Sequence, residues 1–248
     1  MQGPAGHLHV EDGGAGGLPV VFVHSFAGST AHWTAQLTHF RNTRRAVALD
    51  LRSHGQSDPP TGNDYGVESL AGDIAAVADG LKLKRFVLVG HSMGGAASLA
   101  YAGAHPERVA GLVLVGTPGK IPVEQAQQVM SSLGSDYENV MASYWNRLLT
   151  NARPIVRAQI GSEREHLTRA VSLNLIQALF DYDPRPALHR YHGPKLAVIT
   201  PDQDNPFELH RLVADLPYKV VTGTSHWLHM DKPEEFNHIL DEFLKEVH

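Results

Sequence analysis

"FVLVGHSMGGAASLAYAGAH" (86–105) sets a serine between glycines, where a short apolar run meets a run of small residues. Phe86 to Val89 have the length and branching of a strand buried on both faces, and the residues from Ala96 onward pattern as a helix of small side chains. A strand that turns directly into a helix leaves no space beside the turn. Gly90 and Gly94 supply that space, and Ser92 is forced into a strained backbone conformation. This is the Gly-x-Ser-x-Gly pattern in its strand, turn and helix context, which presents Ser92 Oγ at a strand end beside the positive end of a helix. A nucleotide-binding reading of the same glycines fails on spacing: the loop lacks GxGxxG, and no GK[ST] occurs in the chain.

Outward from this turn, similar apolar runs recur at 19–23, 46–49, 109–115, 196–199 and 218–221. The segments between them step in threes and fours. Val67, Leu70, Ile74, Val77 and Leu81 do so before Phe86, and Phe236, Ile239, Leu240, Phe243 and Leu244 do so after Pro233. Strand and helix in alternation predict an α/β fold with a mostly parallel, doubly wound sheet. The alternation lapses over 121–188, where only helical segments such as "YENVMASYWNRLL" can be drawn. We read this as a helical lid inserted before the last two strands, on a core made of 1–120 and 189–248, because the stretch is far longer than one crossover needs. Gly13 to Gly17 reads as a hairpin turn.

The chain has 248 residues, 42% of them hydrophobic, enough for one substantial core. A net charge of −5 and the lack of long basic runs argue against nucleic acid as a partner. With no cysteine there are no disulfides, thiolate metal sites or Cys nucleophile. The first residues show neither a basic start nor an apolar signal core, and no apolar run reaches the roughly 20 residues that span a bilayer. The expectation is a soluble, cytoplasmic protein without membrane association.

"GHSMGG" (90–95) and "DLRSHGQSD" (50–58), with agreement at further positions along nearly the whole chain, resemble the α/β-hydrolases of the esterase, perhydrolase and lipase type. The family usually carries Gly where this chain has Ser53. The resemblance implies a serine nucleophile, Ser92, that needs a base and a carboxylate to orient the base. Of the 16 histidines, His226 in "VVTGTSHWLHMDKPEEF" follows the last strand and precedes the last helix, where the family presents its base. The acid is expected after the strand at 196–199, in "TPDQDNPF": Asp204 falls on the family's position, with Asp202 as the alternative.

By the same resemblance, the oxyanion donors are the backbone N–H groups of Met93, after the nucleophile, and Phe26 in "HSFAGST". Ser25 replaces the family's usual glycine; if the loop needs φ > 0 there, serine strains it, and otherwise its hydroxyl can lend a hydrogen bond. Ser25, Trp145 and Trp227 are candidates for the substrate pocket. No metal and no cofactor is implied: HExxH is absent, and acyl transfer needs neither. The implied activity is carboxylesterase-like hydrolysis of a small-molecule ester with a small to medium apolar acyl group. Lactonase, perhydrolase and C–C bond hydrolase chemistry on the same triad remain open, as does a ligand receptor without turnover. Family members that open epoxides or remove halide carry Asp at the nucleophile position, which disfavours those reactions here. A histidine base also predicts activity falling through a pKa of about 6 to 7.

Overall fold

The computed structural model describes residues 1–247. Two short strands, β1 (Gln2–Gly3) and β2 (Gly6–His7), pair with each other. The main sheet has seven strands: β3 (Val10–Gly13), β4 (Val20–Val23), β5 (Ala46–Leu49), β6 (Phe86–His91), β7 (Val109–Val115), β8 (Lys195–Ile199) and β9 (Tyr218–Val220). Their spatial order is β3-β5-β4-β6-β7-β8-β9. All neighbours are parallel except β3, which runs antiparallel to β5. The six apolar runs are therefore the six parallel strands. The turn at Gly13 to Gly17 joins β3 to β4, but it is not a hairpin, because β5 lies between them. Glycine content marks a change of direction and says nothing about which strands then pair.

Alternate residues of each strand serve opposite faces of the sheet. Val21, Val23, Val47, Leu49 and Leu88 pack beneath α2 (Val67–Gly80) and α3 (Met93–Ala104). Val20, Phe22, Ala46, Ala48 and Val89 pack against α1 (Thr34–Phe40) and α11 (Pro233–Lys245). Between β7 and β8 come α4 (Val123–Ser135), α5 (Tyr137–Leu148), α6 (Pro154–Glu163), α7 (Arg169–Asp181) and α8 (Arg185–Arg190). The expected insertion of 121–188 thus holds helices and no strand, but its last helix, α8, packs on α3, one of the helices that flank the sheet: a Cβ on Gly103 of α3 would lie 2.7 Å from Ala187 Cα. Two single-turn helices, α9 (Leu209–Leu212) and α10 (Leu228–Asp231), flank β9.

One charged pair lies inside this framework. Arg52 donates from Nε to Asp73 Oδ2 at 2.9 Å and from Nη2 to Asp73 Oδ1 at 2.7 Å, both side chains being buried. Further bonds to Ser69 O and Asp64 O complete the guanidinium, so the loop after β5 is fastened to α2. Ser53 beside it has φ of 62° and bonds Tyr65 Oη at 2.9 Å, which accounts for both the family's glycine and the tolerance of serine. Removing one partner of a buried pair costs about 3–5 kcal/mol, and because the exposed Asp64 carboxylate stays 3.2 Å from Arg52 Nη1, the low end of about 3 kcal/mol applies here. Asp73→Ala is expected to lower the unfolding free energy by that amount, measured as a fall in the urea midpoint.

Candidate active site

Ser92 stands at the junction of β6 and α3 with φ 53° and ψ −116°, a conformation that L-residues adopt only under constraint. The constraint is close packing. A Cβ on Gly90 would lie 2.5 Å from Gly94 O, and one on Gly94 would collide with the carbonyls of Val23 and His24 at the end of β4. The start of α3 is thereby pressed onto two strand ends, and the serine at its N-cap has no relaxed alternative. Ser92 N–H donates to Val115 O at 2.8 Å, and Ser92 Oγ has no hydrogen-bond partner among the described residues.

His226 reaches the same place from the opposite end of the chain. A Cβ on Gly116, next to Val115, would lie 3.0 Å from His226 Cε1, and Gly116 also has φ of 50°, so only glycine fits there. The His226 ring lies 4.6 Å from that of His91, whose Nε2 bonds His226 O at 3.0 Å. Ser92 and His226 therefore flank the Val115–Gly116 pair at the end of β7. Burial pushes the His226 imidazole down to about 4, with the Asp202 carboxylate opposing that shift and Arg147 adding to it. This lies below the 6 to 7 of an ordinary exposed histidine.

The expected contact between Asp204 and His226 is not made. Asp204 accepts from Arg211 Nε at 2.6 Å and Nη2 at 2.8 Å and contacts His210 Nε2 at 3.0 Å, and the bonds from Arg211 first and His210 second hold its carboxyl well below the usual range. The group against His226 Nδ1 is the side-chain amide of Gln203, with its nitrogen 3.2 Å away. Gln203 Oε1 accepts from Thr200 N–H at 3.0 Å and Thr200 Oγ1 at 3.1 Å, which turns the amide NH2 toward the imidazole. His226 Nδ1 is then an acceptor, and the neutral ring carries its proton on Nε2.

Phe26 and Met93 bring two backbone N–H groups to this region, and neither has a partner among the described residues. Ser25 is buried and has no positive φ; the left-handed residue of the loop is Ala27, at 55°. Serine therefore replaces glycine there without the strain considered above, and its hydroxyl makes only a long contact of 3.4 Å to Phe26 O. The pocket candidates Trp145 and Trp227 form a stack with Phe26. Ring centroids are 5.8 Å apart for Phe26 and Trp145 and 6.1 Å for Trp145 and Trp227, with interplanar angles of 14° and 19°. An apolar wall thus runs from the loop of Phe26 to the loop of His226.

Sequence reasoning missed Gln203, Asp231 and the buried histidines around the site. His24, His54, His91 and His229 are all buried, and burial pushes His24 down to about 4 and His54 to about 3. His24 accepts Leu51 N–H through Nε2 at 3.0 Å, and the His229 ring stacks on Trp33 at 4.2 Å, so these side chains act as neutral packing and bonding groups. Among the described residues no cluster of His, Cys, Asp or Glu has the geometry to hold a metal, and no helix is long and apolar enough to cross a membrane.

Comparison with known proteins bears on the family and the fold. The alpha/beta hydrolase fold family matches residues 19–175. The 2-hydroxy-6-oxo-2,4-heptadienoate hydrolase of Pseudomonas putida is 44% identical over 114 residues, which are 45% of this chain and 41% of that protein. The 3-oxoadipate enol-lactonase 2 of Acinetobacter baylyi is 24% identical over 91% of this chain and 88% of its own. Among solved structures, a thermophilic esterase from Thermogutta terrifontis superposes with a TM-score of 0.81 at 25% identity, covering 97% of this chain and 94% of that one. The chain belongs to the alpha/beta hydrolase family.

Proposed function

We propose that this hydrolase cleaves carboxylic esters through an acyl-enzyme on Ser92, with His226 as the proton carrier and the Phe26 and Met93 N–H groups as the oxyanion hole. The observation that carries the reading is the strained Ser92 elbow, with the Met93 N–H next to it and without a partner among the described residues, and with His226 packed against Gly116 at the neighbouring strand end. Ser92 Oγ attacks the ester carbonyl and gives its proton to His226 Nε2. The C–O bond to the alcohol breaks, and the same proton passes to the leaving oxygen. Water then repeats the sequence on the acyl-enzyme. Phe26, Trp145 and Trp227 give the acyl group an apolar wall, which supports small to medium apolar acyl chains, with Ser25 buried in the loop beside it. Chemistry of this kind runs on the chain's own residues.

The base step requires a bare Nε2 on His226, and the Gln203 amide favours the other tautomer. An Asn in the carboxylate position of a serine protease, with the same wrong tautomer, lowers kcat about 10⁴-fold. Turnover therefore requires a carboxylate at Nδ1. We assign that role to Asp204, the residue next to Gln203, released from Arg211 and His210; the pair is solvent-exposed, and such pairs contribute little to stability. A lactone is an ester whose alcohol stays attached after cleavage, so the enol-lactonase relative supports lactone opening as a second reading of the same site.

Wild-type protein is expected to turn over a short p-nitrophenyl ester many times and Ser92→Ala to lose it; one burst without turnover would instead describe a receptor. Asp204→Asn is expected to reduce kcat by about 10³- to 10⁴-fold and Asp202→Asn by far less. The reverse result assigns the acid to Asp202. Because kcat/KM reports the free enzyme, its acid limb is expected well below 6, toward the value of about 4 set by burial of His226. The sign follows from the base needing to be unprotonated: activity persists as pH falls until the imidazole takes a proton. An acid limb at about 6 to 7 would mean that a carboxylate already sits on Nδ1 in the free enzyme.

A further inference from the structure

The helix α6 touches both halves of the candidate machinery, one at each end. At its start, Arg153 N–H donates to Asp231 Oδ1 at 2.8 Å, and Asp231 Oδ2 accepts Ser225 N–H at 2.8 Å and the Ser225 hydroxyl. Ser225 immediately precedes His226, and Asp231 is itself buried. The same corner holds the base directly: His226 N–H donates to Leu148 O, the last residue of α5, at 3.0 Å. Arg157 of α6 closes the corner by donating to Leu149 O at 2.6 Å.

At its other end, Glu163 Oε2 lies 2.7 Å from Nε2 of His32, and Ser29 Oγ donates to the same oxygen at 3.4 Å. The Glu163 and His32 atoms are in close contact, but the ring N–H is not aligned on the carboxylate oxygen as a hydrogen bond would be. His32 is fully enclosed, and a Cβ on Gly28 would lie 2.6 Å from its Cε1, so the loop carrying Phe26 rests on this imidazole. Gln159 Nε2 donates to Glu163 Oε1 at 2.9 Å and aims the carboxylate. A helix of ten residues is about 15 Å long and stiff on that scale.

We propose that α6 is a strut that sets the spacing between the His226 loop and the Phe26 loop, with Asp231 and Glu163 as the positioning residues at its two ends. The proposal rests on the reading of Ser92, His226 and Phe26 given above. On this account the inserted segment does more than cover the sheet. Its α5–α6 corner and α6 are part of the mount on which base and oxyanion donor are aligned, and motion that admits substrate belongs to other helices of the insertion. A displacement near 1 Å in such an alignment is enough to reduce rate by about 100-fold.

The test cuts each end without touching a core residue or a group at the reacting atoms. Arg153 has φ of −59°, which proline shares, so Arg153→Pro removes the N–H donor at a φ proline favours. Arg153→Ala keeps the N–H and loses only the side chain, whose Nη1 makes one long bond of 3.3 Å to Asp231 O, so it serves as the control for loss of the guanidinium. Glu163→Ala releases the other end. With p-nitrophenyl acetate as substrate and thermal midpoints confirming folded protein, Arg153→Pro and Glu163→Ala are each expected to lower kcat about tenfold with KM within about twofold. Arg153→Ala is expected to match wild type. The double variant Arg153→Pro with Glu163→Ala is expected to be no worse than the weaker single, since a strut detached at one end no longer constrains the other. An unchanged kcat in Arg153→Pro, a multiplicative loss in the double variant, or a loss carried by KM would overturn the proposal. Turnover that survives Ser92→Ala would instead remove the reading on which it rests.

Discussion

The close approach of the α3 N-terminus to the ends of β4 and β6 is the constraint on which the site depends. Gly90 and Gly94 leave no space for a Cβ, and Gly95 would collide with Thr117 if it carried one. The helix start is consequently fixed chiefly to backbone, at Gly90 and Gly94, with the Thr117 side chain closing on Gly95, and Ser92 is held at a positive φ by its surroundings. Strain of this kind persists because relaxing it would mean parting a sheet whose central strands are fully buried. The unpaired N–H of Met93 is a consequence of the same geometry, since the first residue of a helix has no intrahelical acceptor.

Around this rigid point the chain gathers imidazoles. His24, His54, His91, His226 and His229 are enclosed, and burial pushes all five below the ordinary histidine range. Each is therefore neutral at pH 7 and bonds or stacks as a polar aromatic ring. Unfolding exposes them to water, where they take protons near their ordinary value, so these five groups lower the stability of the folded state as pH falls below about 6.5 and add no pH dependence above it. The cluster gives the site a low-polarity floor without carboxylates, apart from Asp231 and the groups that hold the loops.

The six parallel strands and the Ser92 elbow were legible because both are local: length, branching and the spacing of glycines decide them. His226 was legible by position alone, after the last strand and before the last helix. The acid was not, since Gln203 and Asp204 are neighbours and their choice of partner depends on Arg211, His210 and Thr200, which no local pattern brings together. The turn at Gly13 to Gly17 reads as a hairpin in sequence for a similar reason: strand order is a property of the whole sheet. At Ser25 the departure from glycine suggested strain, whereas the loop places its left-handed residue at Ala27. Asp231 lay in plain view in "HMDKPEEF", but its role depends on Arg153, 78 positions away in the chain.

The central claim is that Ser92 is a nucleophile with its oxyanion donors already in place. The most direct measurement is the intact mass of the protein after exposure to a small fluorophosphonate, followed by peptide mapping. The account predicts a single covalent adduct, located on Ser92, with no adduct in Ser92→Ala and slowed formation when pH falls below the titration of His226. Absence of any adduct on folded wild-type protein, or an adduct that persists in Ser92→Ala, would contradict it.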